Sequence, residues 1–267
     1  MFKRLFSKQN RALLAELVRT DFKLRYQGSI LGYAWSLLKP LLIFIILYVV
    51  FVKFLKLGAG VPHYPIYLFT GIVIWNFINE VTLQSATCIV GRGDLVRKIR
   101  IPRWMIVFAT SLAALINFSL NLVVVAAFMI INHVAVKGTL PLVIPLFFEI
   151  YIFALGISFF LSALYVKFRD VTYIWEVVLQ GGFYITPILY PLSKITNVTL
   201  QKIILLNPIA QAMQDIRYNA VTHDTITTHQ VFAGGYYIYI PYIIVVVVLI
   251  TGTLYFKKEA KYFAENI

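Results

Sequence analysis

Six stretches of this chain, near residues 34–52, 64–90, 104–131, 139–166, 171–190 and 236–256, are almost wholly apolar and approach or exceed 20 residues. A helix needs about 20 such residues to cross a hydrocarbon core of roughly 30 Å. Backbone amides in lipid must be paired within the chain, and these runs lack the period-2 alternation of barrel strands. They are therefore expected to be helices. The rest of the composition agrees, since 60% of the 267 residues are hydrophobic and 13% charged, far from the balance of a soluble domain. The fold class expected is an all-α integral membrane protein with six transmembrane helices.

The positive-inside rule sets the orientation. Seventeen of the 24 Lys and Arg residues fall in 1–33, 91–103, 167–170 and 257–267, against six in the intervening connectors 53–63, 132–138 and 191–235. Both termini are then expected in the cytoplasm. Topology also accounts for most of the net charge of +13, so no nucleic-acid partner is inferred. The basic N-terminus has no apolar stretch before Gly32 and no cleavage pattern, which argues against a removed signal peptide. The lone Cys88 offers no disulfide, and His63, His133, His223 and His229 have no ligand spacing, so no metal site is expected.

The connectors carry most of the information. In 1–33, Leu14, Val18, Phe22 and Tyr26 recur every four residues, the pattern of an amphipathic helix in the cytoplasmic interface. In 91–103, Asp94 precedes Leu95 and Val96, Ile99 follows Leu95 at i+4, and Pro102 ends the segment. One or two helical turns with a small apolar face among Arg97, Lys98 and Arg100 are expected, either as a docking surface for a cytoplasmic partner or as an interfacial connector. The connector 191–235 is long and is broken at Asn207-Pro208. It reads as a short re-entrant or capping helical hairpin, to be shielded by protein wherever it enters the membrane.

Within the spans, polar residues recur at four-residue spacing: Asn76, Glu80 and Gln84; Asn117 and Asn121; Ser158 and Ser162; Thr172, Glu176, Gln180 and Tyr184. Such stripes face protein or water. Interhelical hydrogen bonding is the simpler reading for the first three. The last is longer and has aromatics beside it, among them Phe183, a combination suited to a sugar chain or, alternatively, to interfacial anchoring.

No phosphate-binding Gly-x-x-x-x-Gly-Lys-Ser/Thr is present, so ATP is not expected to be hydrolysed by this chain. The blocks Leu24-Arg25-Tyr26-Gln27-Gly28-Ser29-Ile30-Leu31-Gly32-Tyr33-Ala34-Trp35, Pro40-Leu41-Leu42, Leu95-Val96-Arg97-Lys98 with Ile101-Pro102, Phe168-Arg169-Asp170-Val171, Thr186-Pro187-Ile188-Leu189-Tyr190, Leu206-Asn207-Pro208 and Phe263-Ala264-Glu265 occur in order. Together they resemble the ABC-2 type permeases that export O-antigen, capsule and teichoic acid. That resemblance implies a homodimer, two ABC ATPase subunits that bind ATP and magnesium, membrane lipids around it, and a lipid-linked polymer as substrate. By the same resemblance no cofactor is expected on this chain itself. It implies that Asp94, Leu95, Val96, Arg97, Lys98, Ile99, Arg100 and Asp170 meet the ATPase. It further implies that Tyr33, Trp35, Tyr48, Phe51, Glu176, Gln180, Phe183 and Tyr184 line the path. The division expected is an interface helix in 1–33, a membrane domain in 34–256 with its coupling helix at 91–103 and outer cap at 191–235, and a tail at 257–267. An ABC-2 drug or lipid exporter, an ion-coupled transporter using Glu80, Glu149 and Glu176, and a membrane scaffold are the alternatives.

Overall fold

The computed structural model describes residues 8–26, 31–56, 58, 60–98, 101–135 and 138–263. Ile99, Arg100 and the tail residues Ala264 and Glu265 lie outside the described residues, as do the side chains of Tyr33 and Lys98. Helices α1 (Lys8–Tyr26), α2 (Trp35–Leu47), α3 (Tyr64–Gly91), α4 (Gly93–Lys98), α5 (Trp104–Ile131), α6 (Val143–Lys167) and α7 (Val171–Ile185) are followed by α8 (Val198–Leu205), α9 (Pro208–Ala220), α10 (Thr228–Phe232) and α11 (Ile240–Glu259). No strand occurs among the described residues.

Five segments are long and apolar enough to cross a membrane: α2 with the π-helical stretch Tyr48–Phe54 that continues it, α3, α5, α6 and α11 with their flanking turns. The fifth stretch expected to cross is helical only over the 15 residues of α7, about 22 Å. Beyond it the chain runs through Thr186, Pro187, Ile188 and Leu189 as a non-helical turn, all four buried. Irregular backbone survives at such a place only when protein satisfies its carbonyls.

Helix α3 is the hub, with 78% of its most apolar window covered by protein, whereas the same measure is 11% for the first span. Phe77 stacks on Phe118 of α5 at 4.5 Å, and Phe44 of α2 packs against Phe69 at 4.9 Å. The polar stripes close the same contacts. Asn117 Nδ2 donates to Glu80 at 2.6 Å, Asn121 Nδ2 reaches the Ser36 carbonyl at 3.3 Å, and Ser158 Oγ reaches the Val81 carbonyl at 3.4 Å. Glu80, Asn117, Asn121 and Ser158 thus bond between helices, whereas Ser162 Oγ donates within α6 to the Phe159 carbonyl at 3.1 Å and Asn76 Nδ2 is buried without a partner.

Helices α6 and α11 approach most closely at two glycines. A Cβ on Gly156 would stand 2.8 Å from Leu249 Cα, and one on Gly252 would run into the Gly156 carbonyl oxygen. Small residues let two backbones reach this separation, which matters in lipid because packing is what drives helix association there.

Candidate functional site

On one side of the molecule α1 does not lie free. Its buried Leu17, with Leu13, Leu14 and Val18 beside it, packs on Met105 and Ala109 of α5. The buried stripe is centred on Leu17, one position away from the Leu14, Val18, Phe22 and Tyr26 row that four-residue spacing suggests. Asp21 fixes the contact, accepting from Thr110 Oγ1 at 3.1 Å and pairing with Arg92 just before α4. Burial lowers the pKa of Arg92, and this close carboxylate is what holds its charge in place.

Asp94 stands in the first turn of α4, as its sequence position suggests. Leu95 joins the α1–α5 cluster, and Val96 is buried in the cluster that holds Cys88, Ile106 and Phe263. The apolar side of α4 is thereby used within the chain, and among its described side chains Asp94 and Arg97 are exposed. Asp170, in the turn between α6 and α7, is exposed as well. Around them Arg103 donates to the Ala260 carbonyl, and Lys167 pairs with Glu259 at 2.6 Å, tying the end of α11 to α5 and α6.

Helix α7 buries only Val171 and Leu179. Glu176, Gln180 and Tyr184, one turn apart, are all uncovered. Phe183 turns the other way, edge-on to Trp75 of α3 at 6.2 Å, and Trp175 Nε1 donates to Thr82 Oγ1 at 2.8 Å. On α2, Trp35 is 44% exposed, Tyr48 tilts over Phe44 at 5.8 Å, and Phe51 packs on the core. The structure therefore brings three of the expected path residues together on one face of α7, with Phe183 at its margin edge-on to Tyr184 at 5.4 Å, and leaves the described residues of α2 apart from that face.

The opposite end is locked by a residue that sequence reading counted only as an outer-loop cation. Arg217 of α9 is fully buried. Its Nε donates to the Tyr67 carbonyl at 3.0 Å, Nη1 to Pro187 at 2.6 Å, and Nη2 to Ile188 at 3.1 Å. The guanidinium also lies 3.6 Å from the centroid of the Tyr67 ring. Tyr64 Oη donates to the Leu189 carbonyl, so the non-helical turn after α7 has three successive carbonyls satisfied by α9 and α3. A signal was present: Ile209, Met213 and Arg217 are spaced by four, which places the cation on the buried stripe of α9.

Beside this lock, Gln211 Nε2 donates to Asp215 Oδ2 at 2.6 Å and to Tyr242 Oη of α11 at 3.1 Å. Burial pushes the Asp215 carboxyl up from 3.8 to about 6, against hydrogen bonds from Gln211 and the Thr228 amide and the nearby His229. A folded-state pKa raised in this way stabilises the protein fully below pH about 4. That contribution, about 3 kcal/mol, is lost as pH rises through 6. Asp215→Asn is expected to melt higher than the parent at pH 8 and to show a smaller change between pH 5 and pH 8, as read by thermal denaturation in detergent.

A chain of apolar spanning helices with an uncovered polar face on one of them has the make-up of a polytopic membrane permease. It belongs to the ABC-2 type transporter family, whose profile matches residues 12–221. The resemblance carried by its motifs is thus borne out. The chain is similar to the O-antigen export system permease protein RfbA of Myxococcus xanthus, 30% identical over 225 residues that make up 81% of this chain and 82% of that protein. It is also similar to the protein of the same name in Klebsiella pneumoniae, 28% identical over 258 residues, 95% of this chain and 94% of that one.

Proposed function

We propose that this permease exports a lipid-linked polysaccharide of the O-antigen kind. It would do so as a homodimer with two ABC ATPase subunits, from the cytoplasmic side of a bacterial plasma (inner) membrane that holds both termini. The observation that carries this reading is the uncovered face of α7. A carboxylate and an amide, Glu176 and Gln180, are expensive against lipid, so a face bearing them turns toward a second copy or a water-filled path. Tyr184 and Tyr173, both exposed, add ring surface on which sugar C–H faces pack. The names of the relatives support polysaccharide over a teichoic acid or a drug.

ATP and magnesium act on the partner subunit, which this chain meets through Asp94, Arg97 and Asp170. Leu95 and Val96 hold α4 to the membrane domain, so a push on α4 moves α1, α5 and the end of α11 together. Trp35, Tyr48 and Phe51 extend the path along α2.

Reconstitution of the chain with its ATPase in vesicles, supplied with lipid-linked polymer, tests the reading. Nucleotide hydrolysis without polymer movement would remove the substrate assignment. Arg97→Glu reverses a charge on the exposed side of α4 and is expected to cut polymer-stimulated hydrolysis about tenfold, with the melting temperature measured beside it to separate a folding loss. Parental hydrolysis and transport by that variant would remove α4 from the coupling route.

A further inference from the structure

A cleft of about 510 Å³ opens between α6, α7 and α11, walled by Ile157, Phe160, Leu164, Ile174, Trp175 and Thr251 among others. Its polar groups are already engaged: Trp175 donates to Thr82, and the Thr251 hydroxyl donates back to the Val247 carbonyl at 2.8 Å. Water therefore finds no partners inside it. An empty cleft, in turn, would forfeit dispersion contacts along its whole lining. Because α7 buries only Val171 and Leu179, whatever fills this cleft completes the packing of that helix.

The lip of the cleft is cationic. Leu164 and Val171 both line the cleft, and between them in the chain lies Arg169, exposed, with its guanidinium 5.2 Å from the Tyr165 ring centroid. Lys258 follows Thr251 by seven residues, so it lies on the same face of α11, about 10 Å farther along. Lys257 and Lys258 are both exposed. Lys167 is spoken for by Glu259, and Asp170 is the acid beside Arg169, leaving two cations, Arg169 and Lys258, against one acid.

We propose that this cleft binds an acyl chain of an anionic phospholipid, with the headgroup phosphate held by Arg169 and Lys258. A carbon-walled slot fits a hydrocarbon tail, and the excess cations at its mouth select a charged headgroup over a zwitterionic one. The bound chain wedges α7 against the α6–α11 pair and so limits how far α7 moves during transport. This site is separate from the polymer path and does not depend on the identity of the cargo.

Native mass spectrometry and thermal melting of the full chain in neutral detergent, with phosphatidylglycerol or phosphatidylcholine added, test it. Phosphatidylglycerol should stay bound and raise the melting temperature, phosphatidylcholine much less, and inorganic phosphate not at all. The double variant Arg169→Ala, Lys258→Ala keeps the cleft and should weaken phosphatidylglycerol about thirtyfold, taking ~1 kcal/mol for each cation near a charged surface. Thr251→Trp should fill the cleft and remove both the binding and the stabilisation. Equal retention of the two lipids by the parent chain would overturn the proposal, as would unchanged phosphatidylglycerol binding by both variants. A shift of Thr251→Trp from dimer to monomer would also overturn it, by assigning the cleft to a second copy.

Discussion

Arg217→Met is expected to cost about 3–5 kcal/mol and to leave little folded protein in the membrane. The side chain would keep its approximate length and lose every donor. Two carbonyls of the non-helical turn, of Pro187 and Ile188, would then be buried without partners, at about 1–3 kcal/mol each before any relaxation, and that of Tyr67 would keep only its helical bond. The cation–π contact with Tyr67 would go as well. Arg217→Lys should fall between the two, because an ammonium restores the charge but cannot present the planar fork that serves three oxygens in different directions. A second substitution separates the cage from general packing. A Cβ at Gly71 would meet the guanidinium, so Gly71→Ala should destabilise the parent and do much less harm in the Arg217→Met background. Melting temperature and recovery from membranes give the readout. An Arg217→Met protein that melts with the parent would mean that the turn after α7 does not depend on this residue.

The same residue marks where sequence reasoning stopped. Long apolar runs and a charge asymmetry are properties of the chain alone, so the spanning helices could be read without partners. Asp94 and Pro102 likewise bracket α4 by local rules of helix start and stop, and Asn207-Pro208 caps α9, where the Asn207 side chain accepts from the Ile209 amide at 3.0 Å. Four-residue spacing also found the right face of α3, α5 and α6, but it names a face and not a partner. That Glu80 meets Asn117 is a fact about two helices. Arg217 was harder still, because its acceptors are backbone carbonyls of an irregular turn, and no residue type in that turn announces them. The direction of Leu95 and Val96 was also hidden. An apolar pair on a short basic helix looks like a docking surface until α1 and Phe263 are seen covering it. The widening of α2 into a π-helical stretch at Tyr48–Phe54 had no sequence signal that we can identify.

Gly252→Val should be the second most damaging single change, and it tests how the scaffold behind α7 is held. The valine Cβ would be driven into the carbonyl oxygen of Gly156, a backbone atom that cannot rotate aside. Helices α6 and α11 would have to separate along their contact, which also carries the Phe159–Phe256 edge contact at 5.2 Å and, farther on, the Lys167–Glu259 pair. Overpacking of a well-filled contact costs about 1–3 kcal/mol, and loss of the neighbouring contacts adds to it. Gly252→Ala places the same Cβ against the same oxygen and should be damaging too, though less than valine, since it adds no branches. Gly181→Ala is the control, because a Cβ there meets nothing within 4 Å and alanine is the better helix former, so stability should hold or rise. If both Gly252 variants melted like the control, the close crossing of α6 and α11 would not exist in the membrane, and the cleft beside it would lose its fixed wall.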